Sequence, residues 1–114
     1  MQNSSIAEMS FEIVSLAGDA RATFLKMLDE AKEFQNKKNS EKQQIISELK
    51  SQYKEASELL IECHKKQTVL IQAEAQGKRT ELSMLLIHAQ DHLMTAMLLQ
   101  DMVKYLLHLN GVEI

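Results

Sequence analysis

Almost nothing in this chain interrupts a helix. It has no proline, and its glycines stand only at Gly18, Gly77 and Gly111. Polar breaks occur at two places, Asn36-Lys37-Lys38-Asn39-Ser40 and Gln76-Gly77-Lys78-Arg79-Thr80. Two short links between three long segments leave few folds open. The sequence therefore predicts a single domain over 1–114, all-α, with helices at about 5–35, 41–75 and 81–109 in an antiparallel, up-down-up three-helix bundle.

Each segment carries its own helical signature. In the first, Ile6, Met9, Ile13, Ala17, Ala20, Phe24, Leu28 and Ala31 recur at three- and four-residue spacing. Ser5 and Glu8 fit a capping box at its start. Gly18 costs about 1 kcal/mol relative to Ala in a helix interior, and close approach of a neighbouring helix is the expected reason for it. In the second segment the stripe is Ile46, Leu49, Tyr53, Ala56, Leu60, Cys63, Gln67 and Leu70. Ser40 with Gln43 makes a second capping box, and Gly77 suits the position just past the helix end. Thr80 is the expected N-cap of the third helix, and Asn110-Gly111 its stop.

The third helix differs from the other two. At 100° per residue its apolar residues fall on two arcs rather than one. Leu82, Leu86, Ala89, Leu93, Ala96, Met97, Val103 and Leu107 form the first. Ile87, Met94, Leu98 and Tyr105 form the second, with Met84, Met102 and Asp91 at its edge. A helix that is apolar on most sides must be buried on most sides. One arc can face the first two helices, and the second is then expected to face copies of itself. Asp91 would lie in or beside that self-contact, where symmetry brings identical carboxylates together. Carboxylates held that close protonate or share a cation, and an oxygen cluster favours a hard ion such as Mg²⁺.

His88, Asp91 and His92 share one side of this helix. Two imidazoles and a carboxylate on an otherwise greasy rod suggest three kinds of chemistry. A zinc site needs three or four protein ligands, so further ligands would have to come from His64, His108 or another chain. A nucleophilic imidazole needs only one free ring nitrogen, and it can accept a phosphoryl group with a second His one turn away as a donor. A bundle that serves only as an interaction or regulatory module is the third, non-catalytic reading. Periodicity alone leaves all three open. Cys63-His64 does not make a nucleophile–base pair, because adjacent helical residues point about 100° apart.

Composition removes several classes of function. A net charge of −3 with no basic stripe argues against nucleic-acid binding. No apolar run is long enough to cross a bilayer, and the first residues lack the features of a signal peptide. The single cysteine cannot form an internal disulfide. A cytoplasmic protein with no membrane insertion is expected. No phosphate-cradling Gly-rich loop is present, so any phosphoryl group must come from another protein rather than from ATP.

His88-Ala89-Gln90-Asp91-His92-Leu93-Met94-Thr95 resembles the signature of the lactose/cellobiose-type enzyme IIA components of the bacterial phosphoenolpyruvate-dependent sugar phosphotransferase system. Phe11-Glu12-Ile13-Val14 and Ala17-Gly18-Asp19-Ala20-Arg21 resemble the first helix of that family. His64, Gln67-Thr68 and Leu70-Ile71 resemble its second. The resemblance implies a cytoplasmic homotrimer. It also implies that His88 takes a phosphoryl group on its tele (Nε2) nitrogen from the histidine-containing phosphocarrier protein. His88 then gives it to the cysteine of enzyme IIB during uptake, through the membrane component IIC, of a β-linked disaccharide of the lactose, cellobiose or chitobiose class. Asp91 corresponds to the carboxylate that holds a metal, Mg²⁺, between subunits on the trimer axis. His92 and Gln90 correspond to neighbours of the phosphorylated site. The sequence departs from the pattern between Glu33 and Lys50, which contains no Gly and looks about ten residues longer, so the first two helices are expected to extend beyond the bundle. Lys78 and Arg79 are expected to be a solvated turn.

Overall fold

Helix α1 spans Asn3–Ala31 in a computed structural model that describes residues 3–114, with side chains described from Ser5 onward. A short 3-10 turn, Phe34–Asn36, leads into α2, Asn39–Ala75, and α3 spans Met84–Leu109. All regular structure among the described residues is helical. Ion pairing and hydrogen bonding fix the directions. Lys66 pairs with Glu12, and Gln52 reaches Glu30. Gln67 meets Gln90, and Gln100 meets Ser57. In both pairs of helices the numbers run in opposite senses, which gives the expected up-down-up bundle. Helix α1 packs broadly against both others, while α2 and α3 meet over a thinner and more polar seam.

The periodic stripes became the core. Every stripe residue of α1 and α2 is buried or half-buried. Ile13, Ala17, Ala20 and Phe24 join Leu49, Ala56, Leu60 and Cys63 from α2. Helix α3 contributes Ala89, Leu93, Ala96, Val103 and Leu107. Ile6, Leu70 and Leu86 close one end as a smaller cluster.

The helix ends depart from expectation in instructive ways. Ser5 lies inside α1, not at its cap, because the helix is already formed at Asn3. Helix α1 stops at Ala31, short of 35, where the chain tightens into the 3-10 turn and buries Phe34. Ser40 is within α2; the residue before that helix is Lys38, which makes no side-chain cap. Thr80 does not cap α3 either. Residues 78–83 run without regular structure, and the cap is Ser83, whose hydroxyl accepts the Leu86 amide at 3.1 Å. Leu82 therefore drops out of the first arc and is exposed.

The two C-terminal stops are as expected. Gly77 and Gly111 both take positive φ. After α2, Gly77 N–H donates to the Glu74 carbonyl and Lys78 N–H to that of Ala73. After α3, Gly111 N–H donates to His108 and Val112 N–H to Leu107. Each is a paired closure that satisfies the last free carbonyls of its helix. The second also tucks Val112 into the core.

Most of the segment from Glu33 to Lys50 belongs to α2, since α1 has already stopped at Ala31. The 37 residues of α2 span about 55 Å at 1.5 Å per residue, nearly the 57 Å length of the molecule. The overhanging start is covered by Phe34, with Ile45, Ile46 and the terminal Ile114 packed nearby.

Gly18 is not explained by close packing. A Cβ built there meets nothing within 4 Å. Since the site lies mid-helix and has room, Gly18→Ala should stabilise the chain by about 0.5–1 kcal/mol. A urea unfolding midpoint that rises checks this; a lower midpoint would mean that the space is filled in the folded protein.

Candidate functional site

Helix α3 carries the site, and its rotation in the bundle decides what each side chain can do. The first arc is consumed by the core: Leu86, Ala89, Leu93, Ala96, Val103 and Leu107 are all buried. The second arc is left bare. Met84, Ile87, Met94, Leu98, Met102 and Tyr105 are between 45% and 82% exposed. Exposed apolar residues scattered singly are ordinary, but a continuous stripe marks a contact surface. Asp91 is exposed within this stripe, one turn from Ile87 and from Met94.

His88 and His92 lie on the flank of the stripe, on the side away from α2. Their rings meet edge to face, with centroids 4.5 Å apart and planes at 68°. His88 is exposed and His92 half-buried. Thr95 sits one turn further on. Its hydroxyl proton is committed to the helix itself, to the carbonyls of Asp91 at 2.8 Å and His92 at 3.2 Å. Thr95 thus does not compete as a donor beside the two imidazoles.

Gln90 is placed elsewhere. It lies about 160° around α3 from His88, facing α2, where its Oε1 accepts from Gln67 Nε2 at 2.6 Å. The same Gln67 nitrogen lies 3.8 Å from the Met94 sulfur. Gln90 therefore does not face His88 of its own chain. The Gln67–Gln90 bond needs the relative rotation of two helices, and the sequence carried no signal for it beyond a polar residue on the α2 stripe. Beside that bond is an open groove of about 560 Å³ lined by Leu70, Ile71, Leu86 and Ile87, with Lys78 and Arg79 among its walls.

The remaining candidates do not join the pair. His64 lines a separate groove between α2 and α3 with Met97 and Gln100. His108 lies twenty residues along α3, about 30 Å from His88, and pairs with Glu113. Among the described residues of one chain, no three His, Cys, Asp or Glu side chains come together as a metal site. Cys63 is fully buried, close to the Ile13 carbonyl. Burial pushes its thiol up to about 11, with the Glu62 charge adding to the shift. It is an inert core residue rather than a nucleophile.

The site is thus one helix face with an imidazole pair, His88 exposed and His92 half-buried, and, beside it, an apolar stripe carrying one carboxylate. Residues 8–110 match the family described as "PTS system, Lactose/Cellobiose specific IIA subunit". The lactose-specific EIIA component of Staphylococcus epidermidis is 38% identical over 109 residues, 96% of this chain and 95% of that one. That of Streptococcus mutans is 40% identical over 101 residues, 89% of this chain and 88% of that one. The crystal structure of the PTS cellobiose-specific enzyme IIA from Bacillus anthracis superimposes with a TM-score of 0.78. It is 33% identical and covers 97% of this chain and 91% of its own. The molecule is therefore a three-helix component of the sugar phosphotransferase system. Within that system the chain belongs to the lactose/cellobiose-specific IIA family, whose members take part in phosphoryl transfer during sugar uptake together with other proteins of the system. No helix among the described residues is long and apolar enough to cross a membrane.

Proposed function

We propose that this chain is a phosphocarrier that accepts a phosphoryl group on His88 from the histidine-containing phosphocarrier protein. It passes the group to the cysteine of an enzyme IIB, for uptake of a β-linked disaccharide. The observation that carries this reading is the exposed His88 ring in edge contact with His92. A neutral imidazole nitrogen of His88 uses its lone pair to form the new N–P bond. The N–P bond of the donor breaks in line, and the donor imidazole leaves with the electron pair. His92, one turn away and half-buried, is positioned to donate an N–H to the phosphoryl oxygens. An exposed acceptor suits the task, since two different proteins must reach the same nitrogen in turn.

The bare stripe of α3 supports a homotrimer in which Ile87, Met94 and Leu98 of three chains meet. Asp91 supplies a single carboxylate to that stripe, so a cation there is held between copies and not within one chain. Three oxygen donors fit a hard ion, and Mg²⁺ would supply the positive charge that lets three carboxylates approach. His88, on the flank, stays open in such an assembly. The relatives carry the names of different sugars, lactose, cellobiose and lichenan. The sugar is accordingly read by the membrane component.

Incubation with phosphoenolpyruvate, enzyme I and the histidine phosphocarrier protein should place acid-labile phosphate on the chain, and added IIB should remove it. A wild-type chain that takes up no label would overturn the reading in favour of a non-catalytic interaction module.

A further inference from the structure

We infer that His88 and His92 together bind a borderline divalent cation of the zinc type, and that this ion and the phosphoryl group exclude one another. The second half rests on the reading of His88 as phosphoryl acceptor; the first stands on geometry alone. Residues i and i+4 of a helix project side by side, and the two rings are 4.5 Å apart between centroids. With Zn–N bonds of about 2.0–2.1 Å, each ring centroid lies roughly 3.2 Å from a bound ion. Two rings ligating at about 90–110° then have centroids about 4.5–5.2 Å apart. The observed separation is at the lower limit of this range, and because the rings meet edge to face with planes at 68°, a ring must turn before both lone pairs point at one ion. Histidine χ2 is broad, and His88 is exposed, so turning a nitrogen toward the ion meets no packing.

The surroundings favour a cation. Asp91 is one turn from His88 and adds negative charge on the same side of the helix. The Thr95 hydroxyl is already bonded to backbone and does not interfere. Neither ring is engaged in an ion pair with a carboxylate among the described residues. Imidazole nitrogen suits Zn²⁺, Ni²⁺ and Cu²⁺ and is a poor ligand for Mg²⁺. Adjacent residues of α3 thus separate two ion chemistries: oxygen at Asp91 and nitrogen at the His pair. Two protein ligands are fewer than the three or four of a structural or catalytic zinc site, so water fills the other positions and the ion is weakly held and exchangeable. Binding uses the lone pair of a His88 nitrogen, and phosphorylation of that nitrogen removes it.

The test is a Zn²⁺ titration of the full chain in Mg²⁺-saturated buffer, followed by calorimetry and by the imidazole C–H proton resonances. One Zn²⁺ per chain should bind, shifting the resonances of His88 and His92. His88→Gln and His92→Gln should each weaken binding at least tenfold, while His108→Gln leaves it unchanged. Shifts confined to His64 or His108, or equal binding in the two pair variants and the wild type, would overturn the site. For the competition, transfer from isolated phosphorylated phosphocarrier protein should be slowed by Zn²⁺ and restored by a chelator. The Zn²⁺ needed to halve the rate should rise at least tenfold in His92→Gln, whatever the basal rate of that variant. Zn²⁺ binding with an unchanged transfer rate would overturn the exclusion. Absence of transfer in metal-free buffer would count against the phosphocarrier reading, and the titration would still decide the metal site.

Discussion

Leu98→Glu should convert the protein from the proposed trimer to a monomer while leaving each chain helical. Leu98 is 59% exposed in the isolated chain and takes no part in the intrachain core, so a glutamate there is solvated and the bundle survives. In the proposed trimer, three copies of the leucine meet. Burying a leucine side chain is worth about 1.5–3 kcal/mol, and the variant loses that three times over. It also brings three carboxylates into an apolar seam, where unpaired charge is strongly disfavoured. Sedimentation velocity should report the change directly, with circular dichroism unchanged. The companion variant is Asp91→Leu, which removes a carboxylate from the same stripe. It should keep the trimer, abolish any dependence of its stability on divalent cation, and melt no lower than the wild type in the presence of a chelator, because an apolar side chain replaces charges that need a partner. A wild-type monomer would contradict both expectations.

His88→Ala should lower phosphoryl uptake by at least about a thousandfold, to background, because it removes the nucleophile itself. The fold should be untouched, since His88 is exposed and outside the core. His92→Ala should behave differently. It leaves the acceptor nitrogen in place and removes a donor, so the rate of transfer should fall by about 10²-fold or somewhat less, with the final extent of labelling preserved. Stopped-time labelling with phosphorylated phosphocarrier protein separates the two: His88→Ala changes the end point, His92→Ala the approach to it. Equal loss of end point in both variants would assign the chemistry to the pair rather than to His88.

Much of this architecture was legible because each of the first two helices buries a single stripe. A period of 3.6 leaves a plain trace when one face is apolar, and Ile13, Phe24, Leu49 and Leu60 went where spacing placed them. The double arc of α3 was legible for the same reason, and its bare half is the same set of residues that had no partner in the sequence. The helix starts were harder to read. Thr80 and Ser83 are both chemically able to cap, and the choice depends on how far the chain must travel after Gly77 before α3 can dock. Gly18 misled because a helical glycine suggests a close neighbour, whereas the space beside it is open. The buried Ser10 hydroxyl, which has no hydrogen-bond partner among the described residues, was hidden by its place beside the Ile6 and Ile13 stripe.

The site was legible in angle but not in partnership. One hundred degrees per residue separates Asp91, His88 and Gln90 around α3 before any coordinates are known. It does not say that Gln90 bonds to Gln67, or that His92 is half-buried beside an exposed His88. Those depend on how α2 and α1 sit against α3. Geometry also does not name the phosphoryl group. A pair of imidazoles serves metals, protons and phosphoryl groups alike, and the likeness to the IIA family is what selects among them.

The central claim is a division of labour on one helix, with Asp91 in the self-contact and His88 on the open flank carrying the phosphoryl group. The most direct measurement is the position of that group in the wild-type chain. The protein is charged by phosphorylated phosphocarrier protein, kept at alkaline pH, and mapped by peptide mass and ³¹P–¹H correlation. The account predicts a single phosphoryl group on a ring nitrogen of His88. A phosphoryl group found on His92, His64 or His108, or retained in full by His88→Ala, would contradict it.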